Sequence, residues 1–310
     1  MMSGFDAAAG NFLVSALRSS TPLLWVLLGE ILTQRVAIVN LGVEGQMLVG
    51  ALSGFAATLA TGNPWLGLAA GVAAGMLLST VHAGLTVGLK ANPFASGLAV
   101  WMLGFGLSAF YGVPMVGQKI TGFAPLPLGF LSGVPVLGPL SSQLTPTVVL
   151  AMLASPLAGW WLYRTKTGLA WRAVGESLVS ARTLGLKTSL VQVLGILAGG
   201  AFSGFGGAAL SVDYTRNWVE GMTAGRGLVA VGLVIVARWN PYLAVPAALL
   251  FGGAEALTLR MQTSGVPISS HLLHTLPYLA SLAVLVISSR SANKEGGMPA
   301  GLSAVFSQSR

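Results

Sequence analysis

Eight Asp and Glu, three His and no Cys are all that this 310-residue chain offers for acid–base, nucleophilic or metal chemistry. His271 and His274 stand three apart, as a metal pair could, but no further carboxylate or histidine is spaced to complete a site, so no metal centre is expected. His82 is alone in an apolar stretch and reads as a packed, hydrogen-bonded residue rather than a proton relay. No Ser/His/Asp set, paired carboxylates or zinc motif emerges, and there is no G-x-x-x-x-G-K-[ST] phosphate loop, so the chain reads as a non-enzyme that binds no ATP itself. The absence of cysteine excludes disulfides and thiolate metal sites. What remains is a set of polar groups inside otherwise apolar sequence: Glu30, Arg35, Asn40, Glu44, Gln46 and Glu255. Each costs several kcal/mol against lipid, so each should face the bundle, a cavity or an interface. Asn40 and Glu44 fall one helical turn apart, with Glu30 and Arg35 able to approach them. One reading is a buried network tying the first two helices together; the other is direct hydrogen bonding from Asn40, Glu44 or Gln46 to the hydroxyls of an uncharged solute.

The surrounding elements are membrane helices. Hydrophobic residues make up 54% of the chain and charged residues 8%, far too little charge for the surface of a soluble domain. The net charge of +8 therefore reports orientation across a bilayer rather than nucleic-acid binding. A hydrocarbon core of about 30 Å takes roughly 20 helical residues, which predicts spans near 12–33, 41–61, 64–89, 93–111, 147–163, 189–212, 224–238, 242–259 and 274–289. The expected fold is an all-α polytopic bundle of about nine spans, with eight or ten as alternatives. It forms a single transmembrane domain over 1–295, followed by a short cytoplasmic tail over 296–310. If the polar window after Trp161 is cytoplasmic, eleven Lys and Arg fall inside and five outside, which puts the N-terminus outside and the C-terminus inside. Met1–Gly10 has no basic start and contains Asp6, so no cleaved signal peptide is expected.

Two ladders of small residues at four-residue spacing predict close helix packing: Gly67, Gly71, Gly75, Ser79, Ala83, and Gly195, Gly199, Ser203, Gly207, Ser211. The proline-rich segment from Gly112 to Pro146 cannot be a regular helix and is either a surface loop or a re-entrant lining segment. Asn92-Pro93-Phe94 starts the fourth helix; Asn92 caps it, and Phe94 is either a core aromatic or a group that stacks on a solute ring. Asp213, Arg216 and Glu220 read as solvated charges on the outer turn, where a docking protein would form ion pairs. In the polar window, Gly168 should open a short helix running to about Leu184 and stopping at Gly185. Trp171, Val174, Leu178 and Ala181 recur on one face, with Arg172, Glu176, Ser180 and Thr183 on the other. Such a helix is too short and charged to span. It lies on the cytoplasmic surface, its apolar side resting on lipid headgroups or seated in a partner's groove.

The window Arg164–Leu186, RTKTGLAWRAVGESLVSARTLGL, resembles the cytoplasmic coupling loop of ABC-importer permeases of the simple-sugar and nucleoside, branched-chain permease-like type. Thr21–Ala51, TPLLWVLLGEILTQRVAIVNLGVEGQMLVGA, resembles that family's amino-terminal signature. Gly221–Pro241, GMTAGRGLVAVGLVIVARWNP, resembles the stretch after its extracytoplasmic turn. The chain departs from the pattern at Val36-Ala37-Ile38, where a Ser-Gly-Val or Gly-Val step is expected. The resemblance implies an ATP-driven importer. A second permease completes the pathway, with a heterodimer expected because the chain is most similar to the shorter permease of nucleoside importers. Cytoplasmic ATPases, binding ATP and magnesium, dock on coupling helices, and an extracytoplasmic binding lipoprotein delivers the solute. Coupling-loop residues 164–188 would then meet the ATPase through Gly168, Trp171, Arg172, Val174, Gly175, Glu176, Leu178, Ala181, Leu184 and Gly185. The apolar face would form the seat, with Arg172 and Glu176 a local ion pair. Asn40, Glu44, Gln46, Asn92 and Phe94 are the candidate pathway residues, and Glu30 and Arg35 an intramembrane network. The resemblance places the chain in a bacterial or archaeal plasma membrane and leaves ribose-like sugars and riboflavin-like solutes beside nucleosides. An ion-coupled secondary transporter is the alternative of a different class; it would need inverted repeats and a midplane carboxylate, and would leave the amphipathic loop without a task.

Overall fold

In the computed structural model, residues 4–127, 143–264, 269–291 and 297–307 are described. The first helix, α1 (Gly4–Gln34), is buried all round from Leu23 to Ile31, as expected of an element apolar on every side. A turn over 35–42 leads to α2 (Val43–Thr61), which ends on Gly62 in the left-handed conformation, its N–H bonded to Thr58 O. Asn63 caps α3 (Pro64–Ala83), with Pro64 in the first turn, where its missing N–H costs nothing. A π-helical turn, Gly84–Gly88, extends α3. Asn92 caps α4 (Pro93–Gly112) by accepting from Phe94 N and Ala95 N, the capping role expected of it.

After a segment whose residues 128–142 lie outside the described ones come α5 (Pro146–Arg164), a short helical hairpin of α6 (Lys166–Glu176) and α7 (Leu178–Thr183), and α8 (Thr188–Ala208), extended by a π-helical turn Ala209–Tyr214. The short α9 (Arg226–Val236), α10 (Ala244–Thr263), α11 (Ser270–Ser291) and α12 (Ala300–Ser307) complete the chain. Among the described residues seven helical stretches are long and apolar enough to cross a membrane: Ala8–Gln34, Val43–Thr61, Pro64–Gly88, Pro93–Met115, Pro146–Arg164, Thr188–Tyr214 and Pro241–Thr263. Two shorter apolar helices, Arg226–Val236 and Thr275–Val284, occupy the positions of the other two expected spans.

The core of the bundle is glycine against glycine. The small ladder of α3 faces α8: a Cβ on Gly71 would meet Gly204 O and Gly50 O at 2.9 Å, and one on Gly75 would collide with Gly200 O. The ladder expected on α8, however, points elsewhere. Gly195 and Gly199 abut Val36 and Thr33 at the end of α1, and Gly207 abuts Met47 of α2. The residues that meet α3 are a second series, Gly200, Gly204 and Ala208. Helix α8 is thus small on two faces, so α1, α2 and α3 all approach it at backbone distance, and dispersion contacts replace the hydrophobic reward that lipid cannot supply.

Helix α9 has 11 residues, about 16 Å of rise, half of what a span needs. Its other half is the irregular segment 215–225. Trp218 of that segment is 1% exposed and packs among Ala51, Leu52 and Phe55, midway along α2. Trp218 and Thr223 anchor this non-helical backbone in the protein, while Thr215, Val219, Glu220 and Ala224 are exposed. The seventh element is therefore a broken helix, and this is why its sequence pattern is short.

Candidate functional site

The hairpin α6–α7 is built onto the end of α1. Thr165 Oγ1 caps α6 by accepting from Gly168 N at 3.0 Å, and Gly168 is required because a Cβ there would fall 2.6 Å from Leu162 O. Trp171 donates its indole N–H to Leu32 O at 2.8 Å and meets Trp161 edge-on at 5.0 Å. Val174 is fully buried, and Gly175 lies directly on the Arg35 carbonyl, with no room for a side chain. The expected single helix is interrupted at Ser177, whose extended backbone starts α7 and whose Oγ accepts from Ser180 N at 3.2 Å. Ala181 is 1% exposed, and Gly185, at φ +81°, ends the hairpin in the left-handed conformation that favours glycine.

The face carrying Trp171, Val174 and Ala181, with Leu178 partly buried beside it, is therefore turned into this chain's own core. What it leaves outside is a second apolar set: Leu169, Val179 and Leu184, which are 58, 76 and 78% exposed. Two of these, Leu169 and Val179, were not singled out from sequence. The available signal was large apolar residues on the side of a polar hairpin opposite its buried stripe. The expected Arg172–Glu176 pair is replaced by separate contacts. Arg172 donates to Leu162 O at 3.1 Å and lies over the Tyr163 ring at 5.3 Å, while Glu176 accepts from Ala300 N at 3.1 Å.

Arg35 is the junction beneath the hairpin. Its Nε donates to Trp239 O at 2.8 Å, and its Nη2 to Tyr163 OH at 3.2 Å. Burial pulls its guanidinium below the ordinary value, an effect opposed by Tyr163 and Glu176. Two residues on, Ala37 has φ +60°, a left-handed conformation that costs an L-residue about 1–2 kcal/mol. This is the position where the chain departs from the expected glycine-containing step, so the backbone shape is kept and the strain is held by packing.

Above the junction lies a buried polar network made of Glu30, Gln34, Asn40 and Gln46, without Arg35 or Glu44, which were expected in it. Glu30 Oε1 accepts from Gln34 Nε2 at 2.9 Å and from Asn40 N at 3.3 Å, and Asn40 Nδ2 donates to Gln46 Oε1 at 3.0 Å. Gln34, missed from sequence, also accepts from Trp239 Nε1 at 2.6 Å, tying the end of α9 to α1. Glu44 does not join Asn40. Its carboxylate accepts from Thr223 Oγ1, Gly225 N and Gly227 N at 2.6, 2.8 and 2.6 Å, so it sits on the N-terminus of the half-helix α9, where backbone donors and dipole favour an anion. Glu44 and Gln46 are 4 and 0% exposed. Phe94 packs against the main core.

Three outlying groups also find internal partners. Arg226 pairs with Glu255, which accepts in addition from Ser19 Oγ at 2.7 Å. Asp213 is buried rather than solvated, accepting from Thr145 Oγ1 at 2.5 Å and from Thr147. His82 Nδ1 is 2.9 Å from Ser96 Oγ, the packed role expected of it. The side chains of His271 and His274 lie outside the described residues, among which no group of three metal-ligating side chains occurs.

A multi-helix membrane bundle with glycine-close packing, a broken helix at its centre and a surface hairpin rooted in its core is the architecture of a transport permease. Residues 12–288 match the family described as branched-chain amino acid transport system / permease component, and the chain belongs to that family. It is 40% identical over 299 residues to a protein provisionally named a glucose ABC transporter permease, TsgC13, from Haloferax volcanii, covering 89% of this chain and 91% of that one. It is 33% identical to the nucleoside ABC transporter permease NupC of Lactococcus lactis, covering 86% and 89%. Identity to the guanosine ABC transporter permease NupQ of Bacillus subtilis is 29%, covering 90% and 93%. No solved structure matches the chain. The protein is an ABC transporter permease of this family.

Proposed function

We propose that the chain is one permease of an ATP-driven importer for nucleosides, in a bacterial or archaeal plasma membrane, with its N-terminus outside and its C-terminus in the cytoplasm. A second, different permease completes the pathway, an extracytoplasmic lipoprotein delivers the solute, and ATPases that hold ATP and magnesium drive the cycle. The observation that carries the mechanical part is the hairpin Thr165–Gly185, whose inner face is rooted on Arg35 and Leu32 and whose outer face presents Leu169, Val179 and Leu184. That outer set is the seat for the ATPase. Exposed apolar side chains on a rigid, cytoplasm-facing hairpin are what a groove in a partner would desolvate. Seating there leaves Trp171, Val174 and Ala181 free to hold the hairpin, so pressure on Val179 reaches α1 through backbone contact.

The nucleoside assignment is supported by two relatives named for nucleoside and guanosine transport, each matched over most of its length. A sugar of the glucose type is the second reading, supported by the relative of 40% identity provisionally named for glucose. Uptake of labelled guanosine, uridine, ribose and glucose into proteoliposomes holding the whole transporter, with and without internal ATP, separates the two. ATP-dependent nucleoside uptake is the expected result, sugar uptake alone replaces the substrate, and uptake by this chain alone on an ion gradient overturns the importer reading. Val179→Asp and Leu184→Asp should each abolish copurification of the ATPase while leaving membrane insertion intact. Retained ATPase binding in both would remove this seat.

A further inference from the structure

The last described segment of the chain, 297–303, is docked onto the underside of the bundle. Pro299 is buried and Leu302 is fully buried, in the core cluster that contains Ile31 of α1 and Leu233, Val234 and Ala237 of α9. Gly297 passes so close to the end of α9 that a Cβ would fall 2.8 Å from Arg238 O and 3.4 Å from Arg35 Nη2. Gly301 fits between Gly175 O and the Ala37 methyl, at 2.6 and 2.8 Å from where its Cβ would stand. Glu176, the last residue of α6, caps this segment's helix by accepting from Ala300 N at 3.1 Å. One stretch of chain thus touches the hairpin, the turn after α1 and the end of the broken helix α9. A helix of eight residues has no stability of its own, so α12 is held by these contacts.

We propose that residues 297–303 are a strap that positions the coupling hairpin against α9, with Leu302 as its anchor and Glu176 as its link to the hairpin. The proposal rests on the reading that the hairpin receives the ATPase. Without the strap the hairpin keeps its root on Arg35, and through it the link to Trp239, but loses its second, parallel attachment to the end of α9. ATP hydrolysis then continues and less of its motion reaches the pathway.

The chain has no cysteine, so Ser303→Cys, an exposed position, takes a single spin label. In the full transporter the label should be immobilised, and Leu302→Ala should mobilise it. In proteoliposomes Leu302→Ala should lower solute moved per ATP hydrolysed by about tenfold, the size of effect that coupling residues remote from both sites produce. ATP hydrolysis and subunit assembly should stay within about twofold of the unaltered protein on the same reasoning. Leu302→Met, which conserves volume, should restore both readouts. A mobile label in the unaltered chain overturns the docking. A mobilised label with an unchanged transport-to-hydrolysis ratio overturns the positioning role, and so does loss of the assembled complex in Leu302→Ala, which would make the segment purely structural. If instead Val179→Asp and Leu184→Asp both retain the ATPase, the hairpin reading fails while the label result still stands.

Discussion

Glu44→Gln tests the idea that the half-helix α9 is held at its N-terminus by a charge. In the native arrangement Oε1 serves Thr223 Oγ1 and Gly225 N, and Oε2 serves Gly227 N. Glutamine can keep its single oxygen on the first pair, which leaves its amide N–H facing the Gly227 N–H. Two buried donors then face each other without an acceptor, and the loss at Gly227 N alone is about 1–3 kcal/mol. The charge–dipole term at a partly buried helix N-terminus, up to about 2 kcal/mol, is lost as well. The sum is about 3 kcal/mol, or a fall of roughly 5 °C in Tm for a chain of this size. Thr223→Val is the internal control. It removes one hydroxyl donor and leaves the carboxylate with both backbone partners, so it should cost only about 1 kcal/mol. Thermal denaturation of the detergent-solubilised transporter, followed by size-exclusion chromatography, reads both. The reasoning is refuted if Glu44→Gln lowers Tm by no more than Thr223→Val does, for then the charge contributes nothing beyond an ordinary hydrogen bond.

The glycine contacts give a paired prediction. Gly204→Ala puts a methyl into the Gly71 carbonyl and should yield no monodisperse protein. Gly232→Ala on α9 meets nothing within 4 Å and should raise Tm by about 1 °C, the helix-propensity gain of roughly 0.5–1 kcal/mol. Trp171→Phe removes the indole bond to Leu32 O and leaves a buried carbonyl at the end of α1 unpaired. It should lower Tm by about 2–3 °C, corresponding to roughly 1–2 kcal/mol.

How much of this was legible in the sequence depended on which property carried the signal. Span positions follow from hydropathy over 20 residues and agree with the helices to within a few positions, including the short stretch at Arg226–Val236. Caps follow from single residues, and Asn92 does what Asn before Pro predicts. Facing direction did not follow. Periodicity identifies Trp171, Val174, Leu178 and Ala181 as one stripe, but a buried stripe looks the same whether it packs on its own chain or on a partner. Only the tertiary contact with Leu32 and Arg35 decides between them. The consequence reaches mutagenesis: Gly175→Arg or Ala181→Glu, which a partner-facing stripe would offer as clean uncoupling variants, would instead pry the hairpin off α1. Likewise Asp213 reads as a loop charge until Thr145 and Thr147, 66 or more positions away in sequence, are brought to it. Pairings of that separation leave no local pattern.

The geometry also constrains how a push on the hairpin can travel. Were the hairpin attached by long side chains, rotamer changes could absorb a displacement of an ångström or so. The contact at Gly175 is instead backbone against the Arg35 carbonyl, too close for any side chain to intervene. Close-packed backbone cannot yield locally, so the displacement passes to residue 35 as a whole. Arg35 in turn holds Trp239 O with its guanidinium, and Trp239 is bonded through its indole to Gln34. The C-terminal end of α9 must therefore follow. Its N-terminal end is fastened to α2 by Glu44, and the 11 residues between are one rigid unit. A unit held at one end and driven at the other tilts, and the irregular segment 215–225 is the place where that tilt can be accommodated, since it has no helical ladder to break. If the hairpin receives the ATPase as proposed, the break in the helix is a mechanical requirement: a continuous span in the same position would resist a displacement entering through the hairpin.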